Sequence, residues 1–344
     1  DAHGLSTGDV LFTNDPWITH GHLPDFYVIV PIFAGDKIVA FYASAAHVAD
    51  VGGRLDEYTA RDVYEEGFRI PPMKLYETGK RNETLFTILE ANTRYPRLVL
   101  GDLGAMVGAG EIVAERCREF VADYGNDALD ALADQILMRS ESAMRTAIAG
   151  IPDGVYRAEI ECDGFRGTVH IAIAIHVEGD ELRLDYEGSS PQRSDASINC
   201  VMNVTHAQSM FALQCLLLPT VPNNEGLFAP IRTIAPEGSI LNVRFPAPVR
   251  ARATTSFHLH TAIFEALAPV LPEAVQAASG SFWWLTCSGI DENGEPFAVH
   301  VLPNGGMGAV RSMDGHSAMA FPGNGTFTPV EIVENRAPLI IAER

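Results

Sequence analysis

The chain has 344 residues, of which 47% are hydrophobic and 20% charged, and its formal net charge is −20. This composition is typical of a globular protein with one large core or two domains. The acidic balance argues against nucleic acid or an anionic membrane surface as a partner, because both need basic patches. No apolar run approaches the roughly 20 residues that span a bilayer, so we expect no membrane segment.

Five cysteines are scattered along the chain, and none of them lies in a C-x-x-C motif. This odd number and irregular spacing argue against a disulfide framework and against a zinc-finger site. From this cysteine pattern we expect a cytoplasmic protein, and no signal peptide is visible. Because the chain starts at Asp1, directly before a strand-like pattern, we also expect it to be a piece of a longer polypeptide or a processed one.

The first predicted element is a β-hairpin. Two apolar runs, Val28–Phe33 and Ile38–Tyr42, have the composition of strands. The residues between them, Ala34–Lys37, include Gly and Asp, which favour turns. In such a hairpin, the segment before the first strand and the segment after the second lie at the same end of the sheet.

Two copies of an H-x-x-D pattern flank this hairpin, His22 with Asp25 and His47 with Asp50. The predicted pairing brings these imidazoles and carboxylates to one sheet end, where they suit Zn²⁺, Mn²⁺ or Fe²⁺ with open coordination positions. The alternative interpretation is that these residues cap loops and turns. His20 is a further candidate through its H-x-H spacing, but an exposed position would explain it equally well.

Helices dominate the next stretch. After an irregular region that includes a short helix over Glu83–Ala91, apolar residues recur at helical spacing over Leu98–Tyr124 and Ala128–Ala149. Together these two runs predict an αα-hairpin. Ile151-Pro152-Asp153-Gly154 then ends the second helix, and we place a domain boundary near residue 150. The predicted domains are therefore 1–150, which holds the candidate metal site, and 151–344, a mixed α+β domain.

The second half begins with a β-meander, because apolar residues alternate with more polar ones around Val169–Val177. We predict a buried helix over Asn203–Leu218 and two short strands, Ile231–Ile234 and Ile240–Val243. A second helix is predicted over Ser256–Leu271, with Thr254-Thr255-Ser256 as its N-terminal cap. The fold class is thus α+β, with antiparallel-rich sheets, an αα-hairpin and further packed helices.

A glycine-rich run near the C-terminal end, Gly305-Gly306-Met307-Gly308, invites comparison with phosphate-binding loops. It lacks the Lys-Ser/Thr of a Walker loop and does not lie between a clear strand and a helix. We therefore expect tight turns there, and no ATP site or other cofactor site formed by this run.

Several ordered blocks of the sequence are similar to the hydantoinase B/5-oxoprolinase family. They cover essentially the whole chain and include GDVLFTNDPW, HGHLPD, AAHVADVGGR, EGFRIPPMKLYE, NEGLFAPIRTIAPEGSILN and DGHSA. The resemblance implies a B-type subunit of an ATP-dependent hydrolase that opens a cyclic amide such as a hydantoin, 5-oxoproline or a lactam. It also implies a hydantoinase A-type partner, which would use ATP to phosphorylate the substrate before metal-assisted attack.

The same resemblance implies that His22, Asp25 and His47 hold the metal, with Asp50 behind them or accepting a proton from the attacking water. The chain departs from the family pattern in two ways. Val48 stands where a second histidine is common, and an acidic ligand expected upstream lies outside the chain. A third departure lies at residues 254–258, which replace a more polar string. Two alternatives therefore stay open: a subunit of an ATP-dependent ketone carboxylase, and an inactive or structural subunit with an incomplete metal site.

Overall fold

The computed structural model describes residues 4–56, 58–125, 127–279, 285–294, 296–323 and 328–342. Within these ranges the chain combines helices with three sheets whose strands are mostly antiparallel. The predicted α+β class is confirmed. None of the helices in the described ranges is both long enough and apolar enough to cross a membrane.

A five-stranded antiparallel sheet forms the first part of the fold, with the strands in the order β3-β2-β1-β4-β5. Its strands are β1 (Val10–Thr13), β2 (Asp25–Ala34), β3 (Lys37–His47), β4 (Met73–Glu77) and β5 (Lys80–Arg81). The predicted hairpin is β2 and β3. Gly35 in its two-residue turn has a φ of +61°, which a residue without a side chain adopts at little cost.

Four helices accompany this sheet: α1 (Val63–Glu66), α2 (Glu83–Asn92), α3 (Pro96–Tyr124) and α4 (Ala128–Ile148). The three longer ones match the predicted helices within a few residues. Helix α3 packs on β2 and β3, and a Cβ atom at Gly110 would lie only 2.7 Å from the Val30 side chain. A glycine is therefore what allows the helix to approach the sheet so closely.

The second part of the fold is built on a four-stranded sheet in the order β6-β7-β8-β9, in which only β8 and β9 are parallel. The strands are β6 (Gly154–Gly164), β7 (Gly167–Glu178), β8 (Glu181–Asp185) and β9 (Ile231–Ile234). The helices are α5 (Met202–Leu217), α6 (Glu225–Phe228), α7 (Ala253–Ser256) and α8 (Leu259–Leu267). A two-stranded sheet of β10 (Leu285–Ile290) and β11 (Pro296–Val301) follows, and then α9 (Val330–Arg336).

One predicted element in this part is wrong, and another is shorter than predicted. Residues Ile240–Val243 form a turn beside isolated bridges that pair Ser239 with Pro191 and with Asn242, and no strand. The helix predicted over Ser256–Leu271 is present over Leu259–Leu267 as α8, and the separate short helix α7 precedes it. The His258 N–H donates to the Thr255 carbonyl three residues back, a tight turn that ends α7, and residues 254–256 lie inside α7 and do not cap a helix.

Two hydrophobic clusters stabilise the two parts of the fold. The first joins β1, β2 and α3, and the second joins β7, α5 and α8 with the end of α4, through Met144 and Ile148. Trp17 packs against both clusters, and its indole N–H donates to the Val243 carbonyl at 3.2 Å. The two parts therefore meet beside the loop that precedes β2.

Candidate functional site

The end of the β2–β3 hairpin brings together His22, Asp25 and His47. Asp25 is the first residue of β2 and pairs in register with His47, the last residue of β3, while His22 lies in the preceding loop. The Asp25 Oδ1 atom lies 2.7 Å from His22 Nε2 and 3.0 Å from His47 Nδ1, and the two imidazole nitrogens are 3.3 Å apart. One possible ligand atom of each residue therefore falls within 4.8 Å of the others.

The orientation of His22 is fixed from the second part of the fold. Its Nδ1 atom lies 3.2 Å from the Arg250 carbonyl oxygen, which accepts a hydrogen bond from the tautomer that carries its proton on Nδ1; in that tautomer Nε2 is free to bind a metal. Burial lowers the pKa of His22 to about 3, with a further contribution from the charge of Arg252. The ring is therefore neutral, as a metal ligand has to be.

Asp25 is held as a carboxylate. Burial alone would raise its pKa, but hydrogen bonds with the two imidazoles and the Arg252 guanidinium together hold the pKa of Asp25 well below its usual range. The Arg252 Nη2 atom lies 3.1 Å from Asp25 Oδ2. The other oxygen, Oδ1, faces the imidazoles.

The donor set fits a divalent cation. The Nε2 atom of His22 and the Oδ1 atom of Asp25 lie 2.7 Å apart, so these two atoms can share a proton in a hydrogen bond or bind one cation together. Two imidazole nitrogens and one carboxylate are ligands that Zn²⁺, Mn²⁺ and Fe²⁺ accept. The hydrogen bond from His22 Nδ1 to a carbonyl is the outer contact that metal-bound imidazoles commonly make.

Asp50, the remaining predicted site residue, lies outside this cluster. Its carboxylate is 5% exposed, with Oδ1 2.6 Å from Arg94 Nη1 and Oδ2 accepting the Arg94 backbone N–H at 2.5 Å. The same Arg94 side chain donates to the Gly53 carbonyl, so it ties together the loop that follows His47. The structure thus places Asp50 in a supporting ion pair beside the site.

His20 is also outside the cluster. Its side chain is 60% exposed, its Nδ1 atom lies 3.9 Å from Asp25 Oδ2, and its ring packs edge-on against Tyr27. Burial lowers the pKa of His20, opposed by the charge of Asp25. It lies at the rim of the site.

Three residues of the site escaped sequence reasoning, namely Arg252, Arg250 and Glu66. Glu66 is 1% exposed, and its Oε1 atom accepts the backbone N–H groups of Val249 at 2.6 Å and Arg250 at 2.9 Å. Its Oε2 atom has no partner among the described residues, and burial raises the pKa of Glu66 to about 8. None of these positions has a spacing signal, because their partners are up to 228 residues away in sequence.

Two cavities open beside the cluster and share His22, Arg252 and Ala253 in their linings. The smaller one, of about 380 Å³, also touches Asp25 and His47 and is otherwise mainly apolar. The larger one, of about 870 Å³, is lined chiefly by polar and charged side chains of β6 and of residues 250–265. Gly305, from the glycine-rich run, lines the smaller cavity. The tight turn expected at this run is wrong, because residues 304–309 form no turn and the Met307 N–H donates to the distant His316 carbonyl.

Comparison with known proteins gives a consistent result. The family model described as Hydantoinase B/oxoprolinase matches residues 1–344. The chain is 32% identical over 354 residues to a Pseudomonas sp. (strain NS671) protein whose name describes it as a "Putative D-/L-hydantoinase" B-type subunit, covering 97% of this chain and 60% of that protein. It is 29% identical to the beta chain of a caprolactamase from Pseudomonas jessenii, covering 91% of this chain and 56% of the relative. The chain therefore spans about 60% of the length of these relatives.

Solved structures share the fold. The crystal structure of an ATP-dependent caprolactamase from Pseudomonas jessenii matches with a TM-score of 0.88 and 28% identity, over 99% of this chain and 61% of that one. A nucleotide-free acetone carboxylase structure matches with a TM-score of 0.85 and 20% identity, over 98% of this chain and 48% of that one. At that identity the second match supports the fold alone.

Proposed function

This chain belongs to the hydantoinase B/oxoprolinase family, and we propose that it is the B-type subunit of an ATP-dependent hydrolase of cyclic amides. The observation that carries the proposal is the His22–Asp25–His47 cluster, which opens on a cavity large enough for a small ring. Relatives whose names include hydantoinase, caprolactamase and 5-oxoprolinase point to the same class of reaction.

The metal would be held by His22 through Nε2, by His47 through Nδ1 and by Asp25 through a carboxylate oxygen. A divalent cation at this position, Zn²⁺, Mn²⁺ or Fe²⁺, would supply Lewis-acid polarisation of the group under attack.

The chain's own residues prepare this site. The Arg250 carbonyl sets the tautomer of His22, and Arg252 keeps Asp25 ionised and oriented. The pair of Asp50 and Arg94 fixes the backbone after His47. Because Arg94 binds both oxygens of Asp50, this contact favours support of the loop over the proton-accepting role that the resemblance also allowed. The apolar walls of the smaller cavity would keep bulk water from the reacting carbonyl.

ATP would be used by an A-type partner, which phosphorylates the amide oxygen before the substrate reaches the cluster. The names of the hydantoinase and caprolactamase relatives describe each of them as one subunit of an enzyme, which supports a partner for this chain. The five unpaired cysteines agree with a cytoplasmic location for this assembly.

Metal analysis of the purified full-length protein tests the site. We expect His22→Ala and His47→Ala to lose bound metal, measured by mass spectrometry, because each removes one of three donors. His176→Ala, in β7 of the other sheet, is the matched control and should keep the metal. Unchanged metal content in both site variants would contradict the assignment.

A second assay separates the alternatives. The protein, co-purified with its A-type partner, should hydrolyse ATP when a hydantoin or lactam is added and bicarbonate is absent. ATP use that requires both bicarbonate and a ketone would instead support a carboxylase. A protein that assembles with the partner but binds no metal would support a structural subunit.

A further inference from the structure

We infer that the smaller cavity takes the ring of an uncharged cyclic amide and selects against rings that carry a carboxylate. The inference rests on the proposed function, since it names the substrate class for the same site. Three observations support it. The lining of the smaller cavity is mainly apolar, Arg252 in that lining is already paired with Asp25, and the larger cavity has more acidic than basic side chains.

Apart from the cluster and Arg252, most of the described lining of the smaller cavity is apolar. It consists of Phe257, Leu302, Met319 and Phe321 with alanine and glycine residues, and Asn304 is the one further polar side chain among these residues. At about 380 Å³ the cavity lies toward the small end of the range of roughly 300–1,000 Å³ that is usual for ligand sites. A small ring placed against this lining would bury its methylene groups and present its carbonyl to the cluster.

A ring whose carbonyl faces a metal at the cluster places its other substituents against the remaining lining, and that lining disfavours an anionic group. Among the described residues that line it, Arg252 is the only lysine or arginine. Its guanidinium lies 3.1 Å from Asp25 Oδ2, and both side chains are largely buried. With the ring carbonyl toward the metal, a carboxylate elsewhere on the ring would have to compete with Asp25 for Arg252, or else lie in a lining where Asn304 is the one further polar side chain among the described residues. Both arrangements carry a large desolvation cost.

The larger cavity also has few cationic groups that could pair with a ligand carboxylate. Its lining has the carboxylates of Glu159, Glu161, Asp163 and Glu265 against the guanidinium groups of Arg250 and Arg252. Arg250 also donates to the Glu66 carbonyl, and Arg252 is paired with Asp25. A negatively charged substituent that extends from the cluster into this cavity would meet more acidic than basic groups.

A matched pair of ligands tests the inference. 2-Pyrrolidinone and 5-oxoproline share a five-membered lactam ring and differ only in a carboxylate. Binding to the metal-loaded full-length protein is measured by calorimetry or ligand-observed NMR, without turnover. We expect 5-oxoproline to bind at least about tenfold more weakly, as one poorly paired buried charge requires.

A substitution in the lining provides the second arm. Met319 is 45% exposed, so Met319→Lys can place an ammonium group at the cavity without burying it. This variant should narrow or reverse the preference for 2-pyrrolidinone. Met313→Lys is the matched control, because Met313 is similarly exposed and does not line the cavity, and it should leave the preference unchanged.

Three results would overturn the inference: 5-oxoproline binding as tightly as 2-pyrrolidinone, neither ring binding, or Met319→Lys acting no differently from Met313→Lys. None of these three results would contradict the proposed function, because metal content and ATP-dependent turnover test the proposed function separately. Loss of the metal site in those assays would refute the proposed function even where a neutral ring still binds.

Discussion

Glu66 gives the sharpest prediction about stability. The side chain is buried between α1 and residues 249–250, and its folded-state pKa of about 8 lies above its ordinary value of 4.5. The folded protein therefore holds a proton that the unfolded chain releases. The stabilisation that this proton gives is fully present below pH 4.5 and is lost as the pH rises through about 8.

The expected magnitude follows from the two pKa values. Their difference, 8 − 4.5, is about 3.5, which corresponds to about 5 kcal/mol at 1.36 kcal/mol per pH unit. Glu66→Gln removes this loss, because a neutral amide keeps an oxygen that accepts the N–H groups of Val249 and Arg250. The amide also leaves a donor at the position of Oε2, as the protonated carboxyl does, so the two should be similarly stable near pH 5.

The assay is urea unfolding of the wild type and Glu66→Gln at several pH values between 5 and 9. As the pH rises, the free energy of unfolding of the variant should exceed that of the wild type by a growing margin, which reaches about 5 kcal/mol near pH 9. Glu90→Gln is the control, because Glu90 is an exposed carboxylate on α2. The difference in free energy of unfolding between this variant and the wild type should not change with pH. A Glu66→Gln difference that does not change with pH would refute the reasoning.

Three further predictions concern the residues around the site and the packing of α3. Arg252→Met should weaken metal binding by about 10- to 100-fold in chelator competition, the usual effect of losing a group that orients a ligand; unchanged affinity would contradict the role given to Arg252. Arg94→Met should lower the free energy of unfolding by about 2 kcal/mol, because the buried Asp50 loses a charged partner, and adding Asp50→Asn should restore part of it. Gly110→Ala should destabilise by about 1–3 kcal/mol through its close approach to the sheet, whereas Gly104→Ala on the same helix meets open space and should stabilise by up to about 1 kcal/mol. Equal effects of the two glycine changes in urea unfolding would contradict the packing argument.

The features that could be predicted from sequence are those with local causes. The β2–β3 hairpin follows from two apolar runs and a Gly-Asp turn, and its pairing brings His22, Asp25 and His47 together. Helices α3 and α4 likewise follow from their apolar spacing, and α5 follows from its run of apolar residues. Each of these signals lies within a few residues of the structure that it predicts.

The features that could not be predicted depend on distant partners. Arg252 acts on Asp25 across 227 residues, and no periodicity marks the arginine. In the turn at Ile240–Val243, the N–H groups of Ile240 and Val243 donate to the Ser190 and Cys200 carbonyls, and these acceptors lie far earlier in the sequence. Asp50 repeats the H-x-x-D pattern, but Arg94 binds its carboxylate, so the pattern alone could not assign its position.

The divided origin of the site has a consequence for how the protein folds. The three candidate ligands lie within 26 consecutive residues, 22 to 47, and depend on one hairpin, which forms quickly because its loop is short. The Arg250 carbonyl and the Arg252 guanidinium, which orient those ligands, reach them only after a chain closure of more than 200 residues. Such long-range contacts form late. A nascent chain would therefore pass through a stage at which it can capture a metal ion loosely, and the ion would acquire its final geometry only when the second half of the fold has docked.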